Sequence, residues 1–172
     1  GKVAANRSVH FGCFLDGKLH GVLQFGSSMQ KSNCIGLVKD TLWNEFLELN
    51  RMAFDDYLPK YSESRCISIS IKLIKKNAPH IKWVISFADG TQCGDGTIYR
   101  ASGFYLTGIN KNTTLHELPN GIKFADIGLR ASSNLLKKQV GYKTGEKFST
   151  FKNRTGAKKL PGFQLRYIYL ID

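Results

Sequence analysis

Acidic side chains are scarce. The 172 residues carry 13 Asp and Glu against 25 Lys and Arg, a formal net charge of +12. Such an imbalance favours a polyanionic partner, nucleic acid first, over the alternative of a basic surface that only aids solubility. The deficit is also uneven: residues 1–129 hold 15 basic and 11 acidic side chains, residues 130–172 hold 10 and 2. Long apolar runs are missing as well. None approaches the roughly 18 residues of a transmembrane helix, and no signal peptide is visible. The four cysteines (Cys13, Cys34, Cys66, Cys93) form no CxxC pair, and His10, His20, His80 and His116 add no Cys/His cluster. No metal site is therefore expected, and reduced thiols fit better than a disulfide framework. Gly90, Gly94 and Gly96 are not followed by Gly-Lys-Ser/Thr, which excludes a Walker loop. No internal repeat is present.

What is there fits one folded domain over 1–172, with 42% hydrophobic residues and enough length to bury a core. The chain begins with Gly1 rather than Met, so an upstream segment carrying part of the site is expected. Asp16-Gly17 between Val9–Leu15 and Leu19–Phe25 predicts a β-hairpin. Trp43–Phe54 fits helix or strand by periodicity alone; its second half is taken as strand partly on the family resemblance given below. A helix follows Pro59, with Ser62 or Ser64 as N-cap and Ile67, Ile71, Ile74 and Ala78 on one face. Ile67, Ile69 and Ile71 also alternate as in a strand, but the pattern lasts about 16 residues, too long for one. Ile81–Ala88 predicts a buried strand, Thr97–Ser102 a short helix, Phe104–Ile109 and Ile122–Phe124 strands, and Phe163–Ile171 a terminal strand over 161–172. The order implies an α/β domain around a mixed sheet, with the helix from Ser62 crossing between parallel strands. Residues 130–160, poor in large apolar residues, read as a basic segment that contacts nucleic acid.

Three groups of residues could carry chemistry. Ser62, Ser64 and Arg65 cluster where a helix N-terminus favours an anion; the alternative is a simple cap and a surface arginine. Ser86, Asp89 and Asp95 stand at a strand end and its loop, where ligands of open α/β sheets collect. There Asp89 is either a general base or a turn residue before Gly90, and Asp95 either a site residue or a helix cap. In Thr97-Ile98-Tyr99-Arg100-Ala101-Ser102-Gly103-Phe104, Tyr99 lies on a short helix after a buried strand. Its phenol is protonated at neutral pH and suits a general acid.

That last pattern, with the preceding elements in order, resembles the GNAT N-acetyltransferase superfamily. The segments HFGCFLDGKLHGVLQFG, LWNEFLELNRMAF, SESRCISISIKLI, HIKWVISFADGTQCGDGTIYRASGF and LPGFQLRYIYLID look more narrowly like the Mom family of phage Mu and its relatives, from about His10 to the end. The resemblance implies a GNAT-like twisted mixed sheet flanked by helices, with a basic C-terminal region. It implies an enzyme that converts adenine N6 in phage DNA to a carbamoylmethyl form, protecting that DNA from restriction in the host bacterial cytoplasm. Under it, Asp89 positions or deprotonates N6, Tyr99 protonates the leaving group, and Ser86 and Asn50 line the cleft. Ser62, Ser64 and Arg65 hold the donor. Arg51, Arg100, Lys137, Lys138, Lys143, Lys147, Lys152, Arg154, Lys158 and Lys159 are the nucleic-acid candidates. The acyl donor is glycyl-tRNA or acetyl-CoA; a departure is that Leu58-Pro59-Lys60-Tyr61-Ser62-Glu63-Ser64-Arg65 lacks the glycines usual in a coenzyme A pyrophosphate loop. Expected partners are double-stranded DNA and tRNA, without a membrane, for a monomer or homodimer. The target base must leave the duplex stack, and Tyr61 or Tyr105 would stack on it if not taken up by the core. Two other classes fit the same features. One is a non-catalytic DNA-binding protein on a degenerate acyltransferase fold; the other is an ordinary acetyl-CoA-dependent N-acetyltransferase.

Overall fold

The computed structural model describes residues 8–28, 31–91, 94–130 and 134–171. Cys93 lies outside them. The chain runs β1 (Val9–Leu15), β2 (Lys18–Gly26), α1 (Lys31–Cys34), β3 (Phe46–Phe54), α2 (Ser62–Asn77), β4 (Trp83–Asp89), α3 (Thr97–Ala101) and β5 (Tyr105–Lys111). There follow β6 (Leu115–Glu117), β7 (Lys123–Ala125), α4 (Asp126–Arg130), α5 (Asn134–Val140), α6 (Phe148–Thr155), β8 (Lys158–Lys159) and β9 (Phe163–Leu170). Two compact units emerge: the first comprises Gly1–Ala88, Asp95–Gly108 and Leu165–Asp172, the second Asp89–Gly94 and Ile109–Gln164.

The first unit is built on a mixed sheet in the order β1-β2-β3-β4-β9-β5. Asp16 and Gly17 both take left-handed backbone angles, φ 50 and 76, as a two-residue hairpin turn between right-twisted strands requires, and Leu15 pairs with Lys18. The pairing of β3 with β4 is parallel, joined by α2. Helix period wins over strand alternation: Ile67, Ile71 and Ile74 are buried on one face of α2, while Lys72, Lys75 and Lys76 are exposed. Those isoleucines meet Leu23, Phe25, Leu49, Val84, Ala88, Phe104 and Tyr167 in one core. On the other face of β4, Trp83 and Ile85 pack with Phe46, Cys34 and Ile168. The strand is covered on both sides, which is why it reads as a nearly continuous apolar run.

The second unit has a three-stranded sheet, β7-β6-β8, and its own core of Leu118, Phe124, Leu129, Val140, Phe151 and Ala157. Residues 130–160 thus include helices α5 and α6 and strand β8 rather than a featureless basic stretch. Few of their side chains are large and apolar, but Phe151 is fully buried and edge-packed on Phe124 and Tyr142, so one ring organises the unit. No helix among the described residues is long and apolar enough to cross a membrane.

Candidate active site

The first unit's sheet opens beside α2. Parallel pairing of β3 and β4 lasts three residue pairs, Phe46 with Trp83, Leu47 with Val84 and Glu48 with Ile85. Beyond them, β3 continues to Phe54 and β4 to Asp89 with no further pairing between them. Where the ladder ends, Ser86 Oγ donates to the Leu49 carbonyl at 3.5 Å, a long bond. On its opposite edge β3 carries a bulge: Phe25 pairs with Leu49 and Gln24 with Arg51, leaving Asn50 as the extra residue. The bulge resets side-chain alternation, so Leu47 and Leu49 before it and Met52 and Phe54 after it join the same core. Asn50 and Arg51 are the residues re-aimed by that step. Arg51 is exposed, and its Nη1 donates to the Asn50 carbonyl at 3.3 Å.

Ser86 itself is 0% exposed. It alternates with Val84 and Ala88 toward the α2 core, so the expectation that it lines an open cleft is corrected.

The serines in the first turn of α2 do not cap it. Tyr61 is the N-cap, in the left-handed region at φ 70, and makes no side-chain cap bond. Ser62 Oγ donates to the Pro59 carbonyl at 2.7 Å, and Ser64 Oγ donates to the Tyr61 carbonyl at 3.1 Å. A capping serine would instead accept from a helix amide. Both hydroxyls are thus committed to the turn. Arg65 is exposed one turn along, the Ser62 amide is taken by the Pro59 carbonyl at 3.2 Å, and Glu63 stands in the same first turn. A pyrophosphate cradle of the glycine-rich kind does not fit: at Tyr61 the left-handed position that glycine usually supplies carries a tyrosine. Tyr61 and Tyr105 are both exposed rather than in the core.

Tyr99, half-buried on α3, packs on Tyr167 at 5.4 Å and on Phe104 at 5.6 Å between ring centroids. α3 is held from below by Tyr167. A Cβ on Gly96 would lie 2.4 Å from that ring, so only glycine fits this close approach. The Tyr167 hydroxyl donates to the Asp95 carbonyl at 2.5 Å and accepts from Arg100 Nη1 at 2.8 Å. Arg100 also pairs with the Asp95 carboxylate at 2.6 Å, and that carboxylate accepts from the Thr97 amide and hydroxyl. Hydrogen bonds from Thr97, then Arg100, pull the Asp95 carboxyl down to about 2. Asp95 is therefore the helix-start residue of α3. Arg100 is tied into the same network while its side chain stays exposed. Sequence reading missed Tyr167; no local signal marks a tyrosine that acts 72 residues away from Asp95.

In the second unit, Asp89 Oδ1 accepts from the Thr91 amide at 3.0 Å, the bond of a turn residue. Arg154 makes a two-pronged pair with Glu146, Nε to Oε1 and Nη2 to Oε2, each at 2.9 Å. Its Nη2 also donates to the Gly141 carbonyl. Lys152 lies 5.3 Å over the Phe148 ring. Lys138, Lys143, Lys147, Lys158 and Lys159 are exposed, and Lys137 is half-buried in the last turn of α5. Cys66 is no activated thiol: burial and the neighbouring Cys13 push it up to about 11. Among the described residues no cluster of His, Cys, Asp and Glu is placed to hold a metal ion.

A family model described as the Mom protein family matches residues 1–172. The chain belongs to that family. The methylcarbamoylase Mom of Escherichia phage Mu is 39% identical to it over 109 residues, which cover 63% of this chain and 45% of that protein. The match thus spans under half the length of the curated relative. Among solved structures, a Staphylococcus aureus N-acetyltransferase shares the fold with a TM-score of 0.53, over 95% of this chain and 67% of that one, at 12% identity. A putative acetyltransferase of Salmonella typhimurium, solved with acetyl-CoA, gives 0.55 over 96% of this chain and 66% of that one, at 9% identity. This Mom-family chain therefore has the GNAT acetyltransferase fold. The open end of the β3–β4 ladder and the α3 tyrosine both lie in the first unit.

Proposed function

We propose that this Mom-family chain is a DNA-modifying transferase that converts adenine N6 to the carbamoylmethyl form; its phage Mu relative is named a methylcarbamoylase. The observation that carries the reading is the divergence of β3 and β4 after Glu48 and Ile85. It ends the ladder between two parallel strands of an acyltransferase fold, where an extended acyl donor can lie. Tyr99 on α3 is the proposed acid.

The product constrains the donor. A carbamoylmethyl group carries a nitrogen that an acetyl donor lacks, whereas a glycyl ester such as glycyl-tRNA contains every atom required. In the first step N6 attacks the glycyl carbonyl carbon, the ester C–O bond breaks, and Tyr99 protonates the departing alkoxide. Asp89 is the proposed acceptor of the proton that N6 loses. The glycine amine then attacks C6 and displaces the original N6, now the carboxamide nitrogen, so the rearrangement is an isomerisation that needs no oxidant. Arg65 would hold a phosphate of the donor, and the lysines of the second unit the DNA. Modification of phage DNA in this way would shield it from restriction enzymes.

The test is mass spectrometry of nucleosides from DNA co-expressed with the protein, in cells fed glycine labelled at both carbons and nitrogen. Carbamoylmethyladenine carrying the full label is expected. Unmodified adenine would dismiss the function, and modified adenine without label would dismiss the glycyl donor.

A further inference from the structure

The second unit contains a cleft of about 520 Å³ that the proposed chemistry does not use. Its size falls within the range of roughly 300–1,000 Å³ typical of small-molecule clefts. Leu118, Pro119, Leu160 and Pro161 give it apolar walls, and Lys158, Lys159 and Glu117 give it charge. We infer that this cleft holds one nucleotide of a nucleic-acid strand, its base between the apolar walls, the phosphates on its two sides on Lys158 and Lys159, and an exocyclic amine of the base donating to Glu117. The inference rests on nucleic acid being the substrate.

Rigidity supports it. Asn112, 8% exposed, uses both ends of its amide to shape the cleft's base. Its Nδ2 donates to the carbonyls of Leu115 and Leu160 at 3.2 and 2.9 Å, and its Oδ1 accepts from the amides of Thr114 and Leu115, each at 3.0 Å. The Leu160 amide donates to the Leu115 carbonyl, so the wall is tied by main chain as well. Gly156, at φ 71, brings the α6 terminus against Pro119: a Cβ there would stand 3.3 Å from the proline ring. The slot is preformed, which lowers the ordering cost of binding.

Charge selects the ligand. Lys158 and Lys159 are successive strand residues, so their side chains leave opposite faces of β8 and reach anions on both sides of the cleft mouth. Across the sheet, Glu117 registers with Lys158 on one side and Lys123 on the other, a lone carboxylate in a basic row. A carboxylate there accepts from the amino group of adenine, cytosine or guanine and has no such donor to meet in thymine. The unit around the cleft holds 11 basic and 4 acidic residues, a surplus that suits a strand better than a free mononucleotide.

Fluorescence anisotropy with labelled oligodeoxyadenylate, oligothymidylate and a fluorescent adenosine monophosphate tests this on the full chain. The unaltered protein should bind the adenylate strand about tenfold more tightly than the thymidylate strand. The K158A/K159A double variant should lose about tenfold in affinity for the adenylate strand and show a shallower salt dependence, with an unchanged melting temperature. Equal binding of both strands, unaltered binding by the double variant, or preference for the mononucleotide would each overturn the inference. Nucleoside mass spectrometry separates it from the functional reading. Modified DNA with lysine-independent binding sinks the cleft alone; lysine-dependent binding without modified DNA upholds the cleft and sinks the chemistry.

Discussion

The two units solve folding by different means. The first buries aliphatic side chains of α2 against a wide sheet, and 14 basic residues are set against 9 acidic. The second gathers rings around Phe151, with His116 between Phe124 and Phe148, and leaves most of its cations on the outside. A wide core of aliphatic and aromatic side chains on a sheet can tolerate an opened strand pair and still stand. A small aromatic core tolerates a surface crowded with lysine, because each ring buries about 150–250 Å² from few positions. The contrast assigns the proposed acid, Tyr99, to the balanced unit and grip to the basic one.

The largest expected effect tests the first half of that contrast. Tyr99→Phe should lower carbamoylmethyladenine formation by about 100-fold or more, the scale of a general acid, while oligonucleotide affinity stays constant. Nucleoside mass spectrometry and anisotropy measure the two; a joint fall would break the division of labour. Next in size, Phe151→Ala should destabilise the second unit by about 3–5 kcal/mol. Hydrogen exchange should then show lost protection across β6, α6 and β8 with α2 still protected. Simultaneous loss in α2 would mean the two cores unfold as one.

Acid sharpens the comparison further. The Asp95 carboxyl is depressed to about 2 by Thr97 and Arg100, and Glu146 is lowered by Arg154. A depressed carboxylate stabilises the fold above its unfolded value, about 3.9 for Asp, and that stabilisation fades as pH falls through the folded value. The melting temperature should therefore drop between about pH 4 and 2, and Asp95→Asn should narrow its own gap to the unaltered protein over that window. Thermal melts across pH check this. A gap that widened on acidification would reverse the sign. The smallest effect belongs to Ser86→Ala. Its hydroxyl makes one long bond inside the core, so stability should change by about 1 kcal/mol or less and modification should persist. A large loss of modification at constant stability would return Ser86 to the site.

Much of the first unit was legible because its signals are local. The period of Ile67, Ile71 and Ile74 marks α2, Asp16-Gly17 marks the hairpin, and the apolar run from Ile81 marks β4. The site was legible only in part. Tyr99 was placed correctly on a short helix, but Ser62 and Ser64 looked like caps since capping depends on backbone direction, which composition does not carry. Arg100 and Arg154 counted as free cations because their partners are chosen by folding. Arg100 meets a tyrosine 67 residues away, and Arg154 reaches back from α6 to Glu146. The core of the second unit escaped notice because Leu118, Val140 and Phe151 are separated by polar stretches with no sustained period.

By itself, then, the sequence determined the order of elements, the uneven charge and the family, all of which reside in local patterns and residue identity. Tertiary structure alone decided where β3 leaves β4, which cations are neutralised, and that the basic region folds around a core with a cleft. Each of those depends on pairings across long stretches of chain. Such pairings follow from the whole energy balance of burial and hydrogen bonding, not from the residues on either side.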